Sequence, residues 1–271
     1  MATGIINPYA LSGVPSYEDE CLADNPLGLW MLDEPYGNNV AANKGTVSGG
    51  DGTYYGNMGL STSRGLRTVF NLDVAGASVA NSNGVAGFKN GSVTIPYNAA
   101  FNSGMSAQYS ANTWEWVTRV DHQAPSNEWQ WMIRRYPGGP GSILGVANST
   151  NNYSLMIQRA YIYSGGGMTF NSSYGPANSF WLGSDAHHVV TFGTSNPYVR
   201  WYINGNLYWV ASIASYYSQE AATTAPIVFG TYYGNTGGAN YFLRGAMGGV
   251  ALYDYALSPS RIVAHYQALL T

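Results

Sequence analysis

Apolar and polar residues alternate with a period of two over residues 113–121, TWEWVTRVD. In an extended segment Trp114, Trp116, Thr118 and Val120 share one face, and Glu115, Val117, Arg119 and Asp121 share the other. The pattern predicts a strand. Residues 128–135, EWQWMIRR, predict a second, and residues 153–163 another. Shorter apolar runs follow at His187–Phe192, Val199–Ile203, Pro226–Gly230 and Val250–Tyr253. Turn residues separate them: Asp51-Gly52, the run from Pro137 to Gly141, Gly165 to Gly167, and Asn204-Gly205. Asn-Gly between two strands is what a type I′ hairpin turn requires, because both central residues take positive φ. The period changes only at the end of the chain, where Ile262, Val263, Tyr266, Leu269 and Leu270 recur at helical spacing. Ser258 can cap that helix and Pro259 suits its first position, although no Glu or Gln stands three residues after Ser258 to complete a capping box. Many short strands and one terminal helix predict an all-β sandwich with a short C-terminal helix.

Residues 1–20 carry two early glycines and two prolines with no periodicity. They read as an extended N-terminal arm, and Glu18, Asp19 and Glu20 as a solvated acidic run. Residues 21–271 read as one domain, with no internal repeat.

The order of motifs resembles the laminin-G-like, concanavalin-A-like jelly-roll family. The matching stretches are residues 27–34 (LGLWMLDE), 51–56 (DGTYYG), 88–96 (FKNGSVTIP), the strand at 113–121, 187–192 (HHVVTF), 199–206 (VRWYINGN), 226–230 (PIVFG), and the closing residues 250–253, 256–258 and 265–266. The resemblance runs from about residue 24 to residue 270. It implies an all-β, two-sheet antiparallel jelly-roll sandwich with a short C-terminal helix, and adhesion or glycan binding; a calcium ion is common in the wider family. Gly248-Gly249 stand where the family often has an Asp-Glu pair, so any role of that pair does not carry over.

Composition narrows the function classes. Charged residues make up 9% of the 271 residues, against roughly 25% in ordinary globular proteins, and the net charge is -3. Lysine occurs only at Lys44 and Lys89, so a phosphate-binding surface for nucleic acid is not expected. No apolar segment reaches the ~18 residues of a membrane helix, and residues 1–22 lack the pattern of a signal peptide. Cys21 is the single cysteine, which excludes an internal disulfide. A chain made in a reducing cytoplasm whose surface is uncharged and rich in Tyr, Asn and Gly fits a virion protein. The expectation is therefore a non-catalytic phage virion surface protein, first a capsid decoration. It would join other virion proteins through its arm, form a homo-oligomer, and meet host-surface glycans. A carbohydrate-binding receptor module of a tail and a glycoside hydrolase are the alternatives.

Retaining hydrolysis needs two carboxyls about 5 Å apart and inversion about 6.5–9.5 Å. Glu115 and Asp121 share a strand face but stand six residues apart, roughly 20 Å along it. His187-His188 point to opposite faces and cannot chelate one ion; His122 and His265 stand isolated, and Cys21 has no base beside it in sequence. Zinc-hydrolase, serine-hydrolase and P-loop motifs are missing from the sequence. Asp33, Glu34 and Asp51 have oxygens suited to calcium, but loop carboxylates are more often solvated or capping, and no cofactor, metal ligand or catalytic residue is assigned. The candidate ligand-binding residues are Trp129, Trp131, Arg135 and Tyr136. The two tryptophans share a strand face and can stack on sugar rings, unless that face is the sandwich core.

Overall fold

The computed structural model describes residues 15–34, 39–55, 59–60, 72–73, 92–102, 111–120, 130–135, 142–149, 152–159, 168–171, 185–193, 198–212, 225–230 and 245–270, and the account below concerns these. Helix α1 (Tyr17–Ala23) comes first. Strands β1 (Gly28–Trp30), β2 (Val40–Ala41), β3 (Gly52–Tyr55), β4 (Gly59–Leu60), β5 (Leu72–Asp73) and β6 (Ser92–Ile95) follow. Next come β7 (Asn112–Val120), β8 (Gln130–Arg135), β9 (Ser142–Ser149), β10 (Asn152–Arg159) and β11 (Met168–Asn171). The chain continues through β12 (Asp185–Phe192), β13 (Tyr198–Ile203), β14 (Asn206–Ser212), β15 (Ile227–Phe229) and β16 (Gly245–Tyr253), and ends in helix α2 (Pro259–Leu270).

The strands form two antiparallel sheets. One has the order β14-β13-β12-β7-β16-β5-β4, with β1 also paired to β16; the other runs β11-β10-β9-β8-β15-β6-β3-β2. The expected all-β sandwich with a C-terminal helix is the observed fold. Strand alternation divides the first sheet into two apolar layers. Trp30, Trp114, Trp116, Val190, Trp201 and Leu252 point inward and meet Val93, Ile95, Ile133 and Phe229 of the other sheet. Leu29, Val117, Val189, Tyr202, Ala251 and Tyr253 point outward and are covered by Tyr17 and Cys21 of α1 and Ile262 of α2. The molecule is thus helices on sheet on sheet, and each aromatic buried in it contributes roughly 1.5–3 kcal/mol.

Several local expectations change. Residues 17–20, read as the end of an extended arm, form the first turn of α1, while residues 1–14 lie outside the described residues. The physical reason is a reciprocal cap: the Ser16 hydroxyl accepts from Asp19 N–H, and the Asp19 carboxylate accepts from Ser16 N–H at 3.0 Å. The acidic run is engaged as well, with Glu18 on Lys44 at 2.8 Å and Glu20 on Arg261 at 2.6 Å. Asp51-Gly52 is not a tight hairpin turn. Gly52 begins β3, where a Cβ would stand 2.4 Å from Ile95 Cδ1, so the glycine serves close approach of two strands. Gly248-Gly249 lie inside β16, at a register shift against β7, with Gly249 at φ 56°. Asn204-Gly205 forms the expected turn, with φ 50° and 74°.

Candidate functional site

The layer beneath the two helices holds a buried polar cluster centred on Glu115. Alternation along β7 sends Trp114 and Trp116 into the sandwich and Glu115 to the opposite face, where it is fully buried. Four elements deliver its partners. From β12, His187 Nε2 lies 2.7 Å from Glu115 Oε1. From α1, the Tyr17 hydroxyl donates to the same oxygen at 3.0 Å, and Cys21 Sγ lies 4.0 Å from it. From β16, the Tyr253 hydroxyl donates to Oε2 at 3.2 Å. From α2, His265 Nδ1 lies 3.0 Å from Oε2 and 3.1 Å from Oε1.

His265 has a second carboxylate. Its Nε2 is 3.0 Å from Asp24 Oδ2, just past the end of α1. Asp24 in turn accepts from Arg261 Nε, at 2.8 and 3.0 Å. With a carboxylate facing each ring nitrogen, both nitrogens donate and the imidazole is held as its cation. Burial disfavours that charge, but Glu115 and then Asp24 outweigh it and raise the His265 pKa. Burial likewise works against the Glu115 carboxylate; the charge and hydrogen bonds of His265 and His187 prevail and hold its pKa well below the usual range. The Cys21 thiol and the Tyr17 and Tyr253 hydroxyls are all pushed up, first by burial, and stay protonated.

The cluster is closed to a substrate of any size, since Glu115 and His265 are 0% exposed and His187 is 2% exposed. Its visible work is to fasten both helices to the sheet. The sequence reading placed Glu115 opposite Trp114 and Trp116, as observed. It put His187 and His188 on opposite faces, also as observed: His188 stacks in the core on Trp116 and Trp201, with centroids 5.0 and 5.8 Å away. It missed the convergence on Glu115, and the reading of His265 as isolated is corrected by the contacts above. The signal was present, because His265 is three residues after Ile262 and so lies on the helix face that docks.

The residues nominated for ligand binding are placed less fully. Trp129 and Tyr136 lie outside the described residues. Trp131 is in β8, with its backbone paired to Gly145 next to a register shift. Arg135 is 2% exposed, its Nε donating to the Ala225 carbonyl at 3.3 Å and its guanidinium carbon 5.8 Å from the centre of the Tyr97 ring. The calcium candidates are occupied within the chain. Glu34 accepts from Ala42 N–H and the Tyr54 hydroxyl, Asp51 accepts from Asn43 N–H, and Asp33 lies 3.5 Å from Lys44.

No protein-family model matches the chain, and no curated protein matches it. Solved structures similar to it include binding domains of botulinum neurotoxins. The binding domain of botulinum neurotoxin DC in complex with SialylT has a TM-score of 0.60 at 13% identity, over 91% of this chain and 52% of that one. The same domain in complex with rat synaptotagmin II gives the same values. The receptor binding domain of the mosaic serotype C/D, with tetraethylene glycol on its Hcn sub-domain, has a TM-score of 0.58 at 14% identity over 90% and 51%. This chain therefore spans about half the length of these chains, and at such identity the likeness is one of fold.

Proposed function

We propose that this chain is a non-catalytic binding module of the lectin-like, laminin-G-like jelly-roll kind that recognises glycans at a cell surface. The observation that carries the reading is the fold likeness to neurotoxin binding domains, one of them in complex with SialylT and one with rat synaptotagmin II. The interior agrees with it. The acid and imidazole groups that come together among the described residues are sealed under two helices, so their chemistry serves the fold.

We assign the module to the surface of a phage particle, as a capsid decoration. The support is compositional: charged residues are 9% of the chain, and Tyr, Gly, Asn and Ser take their place. Such a surface has weak electrostatic protection against self-association and favours packing against copies or neighbours. Among the described residues no helix is long and apolar enough to cross a membrane. The attachment segment of this reading is the stretch before Ser16, together with a homo-oligomeric arrangement.

The test is a glycan array probed with the purified chain, sialylated glycans included. Saturable binding to a defined glycan class, reduced by substituting Trp129 or Trp131, supports the module. Binding to nothing on the array, with purified virions carrying the chain in capsid copy number, leaves decoration without glycan recognition. Release of reducing sugar from a bound glycan overturns the non-catalytic assignment.

A further inference from the structure

Cys21, Glu115 and His265 bring three different donor atoms, from α1, β7 and α2, to one point. Cys21 Sγ is 4.0 Å from Glu115 Oε1 and 3.9 Å from His265 Nδ1, and that oxygen and nitrogen are 3.1 Å apart. The circumcentre of a triangle with these sides lies about 2.1 Å from all three atoms. Zinc binds thiolate at about 2.3 Å, imidazole nitrogen at about 2.0–2.1 Å and carboxylate oxygen at about 2.0–2.2 Å. We propose that this buried pocket is a structural zinc site with Cys21, Glu115 and His265 as its protein ligands.

The surroundings are those of a metal site. A ligating imidazole usually gives its other N–H to a carboxylate, and His265 Nε2 faces Asp24 Oδ2 at 3.0 Å. Asp24 is itself held by Arg261. A ligating carboxylate is usually hydrogen-bonded too, and Glu115 receives the Tyr17 and Tyr253 hydroxyls and His187 Nε2. A sulfur–nitrogen–oxygen set excludes magnesium and calcium, which take oxygen ligands, and suits zinc.

The charge balances. Without metal, the pocket holds one proton on Cys21 Sγ and one on His265 Nδ1. Zinc displaces both to solvent, forms the Zn–S, Zn–N and Zn–O bonds, and leaves the net charge of the pocket unchanged, with no oxidation or reduction. The metal would replace a hydrogen-bonded clasp between the two ends of the chain with a coordinate one.

The experiment uses the full chain, unfolded in chelator and refolded with zinc sulfate or with chelator. After gel filtration, zinc is counted by mass spectrometry and the melting temperature is measured. A parallel refolding with cobalt(II) reads the ligands from the absorption spectrum. The expected result is one zinc per chain, a melting temperature several degrees higher with zinc, and a thiolate-to-cobalt charge-transfer band. Cys21→Ser is expected to lose that band and weaken zinc binding at least tenfold; Asp24→Asn, which leaves all three ligands in place but removes the carboxylate facing His265 Nε2, is expected to weaken it about tenfold. If Cys21→Ser does not fold, the cobalt spectrum of the unaltered chain decides. No zinc retained and no difference in melting temperature overturns the proposal. So does metal bound without a thiolate band, or zinc held as tightly by a folded Cys21→Ser chain.

Discussion

Glu115 shows how one side chain can be costly alone and stabilising in company. A carboxylate this deep is tolerated because two imidazoles and two hydroxyls meet it. Glu115→Ala leaves the buried His265 imidazolium with Asp24 alone and takes the carboxylate acceptor from the Tyr253 hydroxyl, and is expected to cost about 3–5 kcal/mol in denaturant unfolding. At Gly205 the constraint is backbone geometry. Its φ of 74° disfavours a side chain, and a Cβ would stand 3.2 Å from Tyr266 Cδ1. Gly205→Val is therefore expected to destabilise by more than ~1 kcal/mol, read as a lowered melting temperature. His188 makes the inner core sensitive to mild acid. Burial first, and then the neighbouring His187, lower its pKa from 6.5 to about 3. The unfolded chain takes up a proton that the folded chain refuses, so this group lowers stability as pH falls from 6.5 toward 3, by up to ~1.4 kcal/mol per pH unit, and has no effect above that window. His188→Gln is expected to flatten the pH–stability curve between pH 6.5 and 4.5. These roles were only partly legible in the sequence: alternation gave the face each residue occupies, but which side chains meet across 72 to 150 residues depends on register and on helix docking.

The elements divide by whether their signal is local. β7, β12 and the β13–β14 hairpin follow from alternation and from Asn-Gly, and they stand where the pattern predicts them. The hairpin turn is also tied to β12, since Asn204 N–H donates to the His187 carbonyl and Asn204 Oδ1 accepts from His187 N–H, both at 2.9 Å. β9 was not anticipated, because residues 142–149 follow a run of prolines and glycines and have no alternating apolar residues. α1 was not anticipated either, because its seven residues bury only Tyr17 and Cys21, too few to make a period visible. Of the apolar face expected on α2, Ile262 docks, Leu269 packs against the same layer and Tyr266 stacks on His187, whereas Val263 and Leu270 are 38% and 56% exposed; the buried residue that face did not include is His265. Deleting residues 258–271 removes His265 and uncovers the outer apolar layer, so the product is expected to aggregate on gel filtration. A soluble product with an unchanged melting temperature would count against α2 as part of the core. The attachment role assigned to the stretch before Ser16 calls for a cut at residues 2–14, which spares α1. The shortened chain is expected to fold and to lose its place on the particle.

At the scale of the whole molecule, fold class was the most legible property, because it follows from many weak signals that agree. The binding surface was the least legible, because a tryptophan facing a sugar and a tryptophan facing a core have the same pattern. The chain order of the clasp has a consequence for biosynthesis. Tyr17 is made 98 residues before Glu115, and His265 150 residues after it. At ribosomal rates of about 5–20 residues per second, Glu115 waits roughly 8 to 30 seconds for its imidazolium partner. Over that interval β7 also lacks β16, the neighbour on one of its edges. The nascent chain therefore cannot close stepwise from its beginning; it reaches its native state only once the codons for α2 have been read. A message truncated upstream of those codons would yield open sheet edges and a bare acid in place of a smaller working domain, and such a product belongs to the proteases.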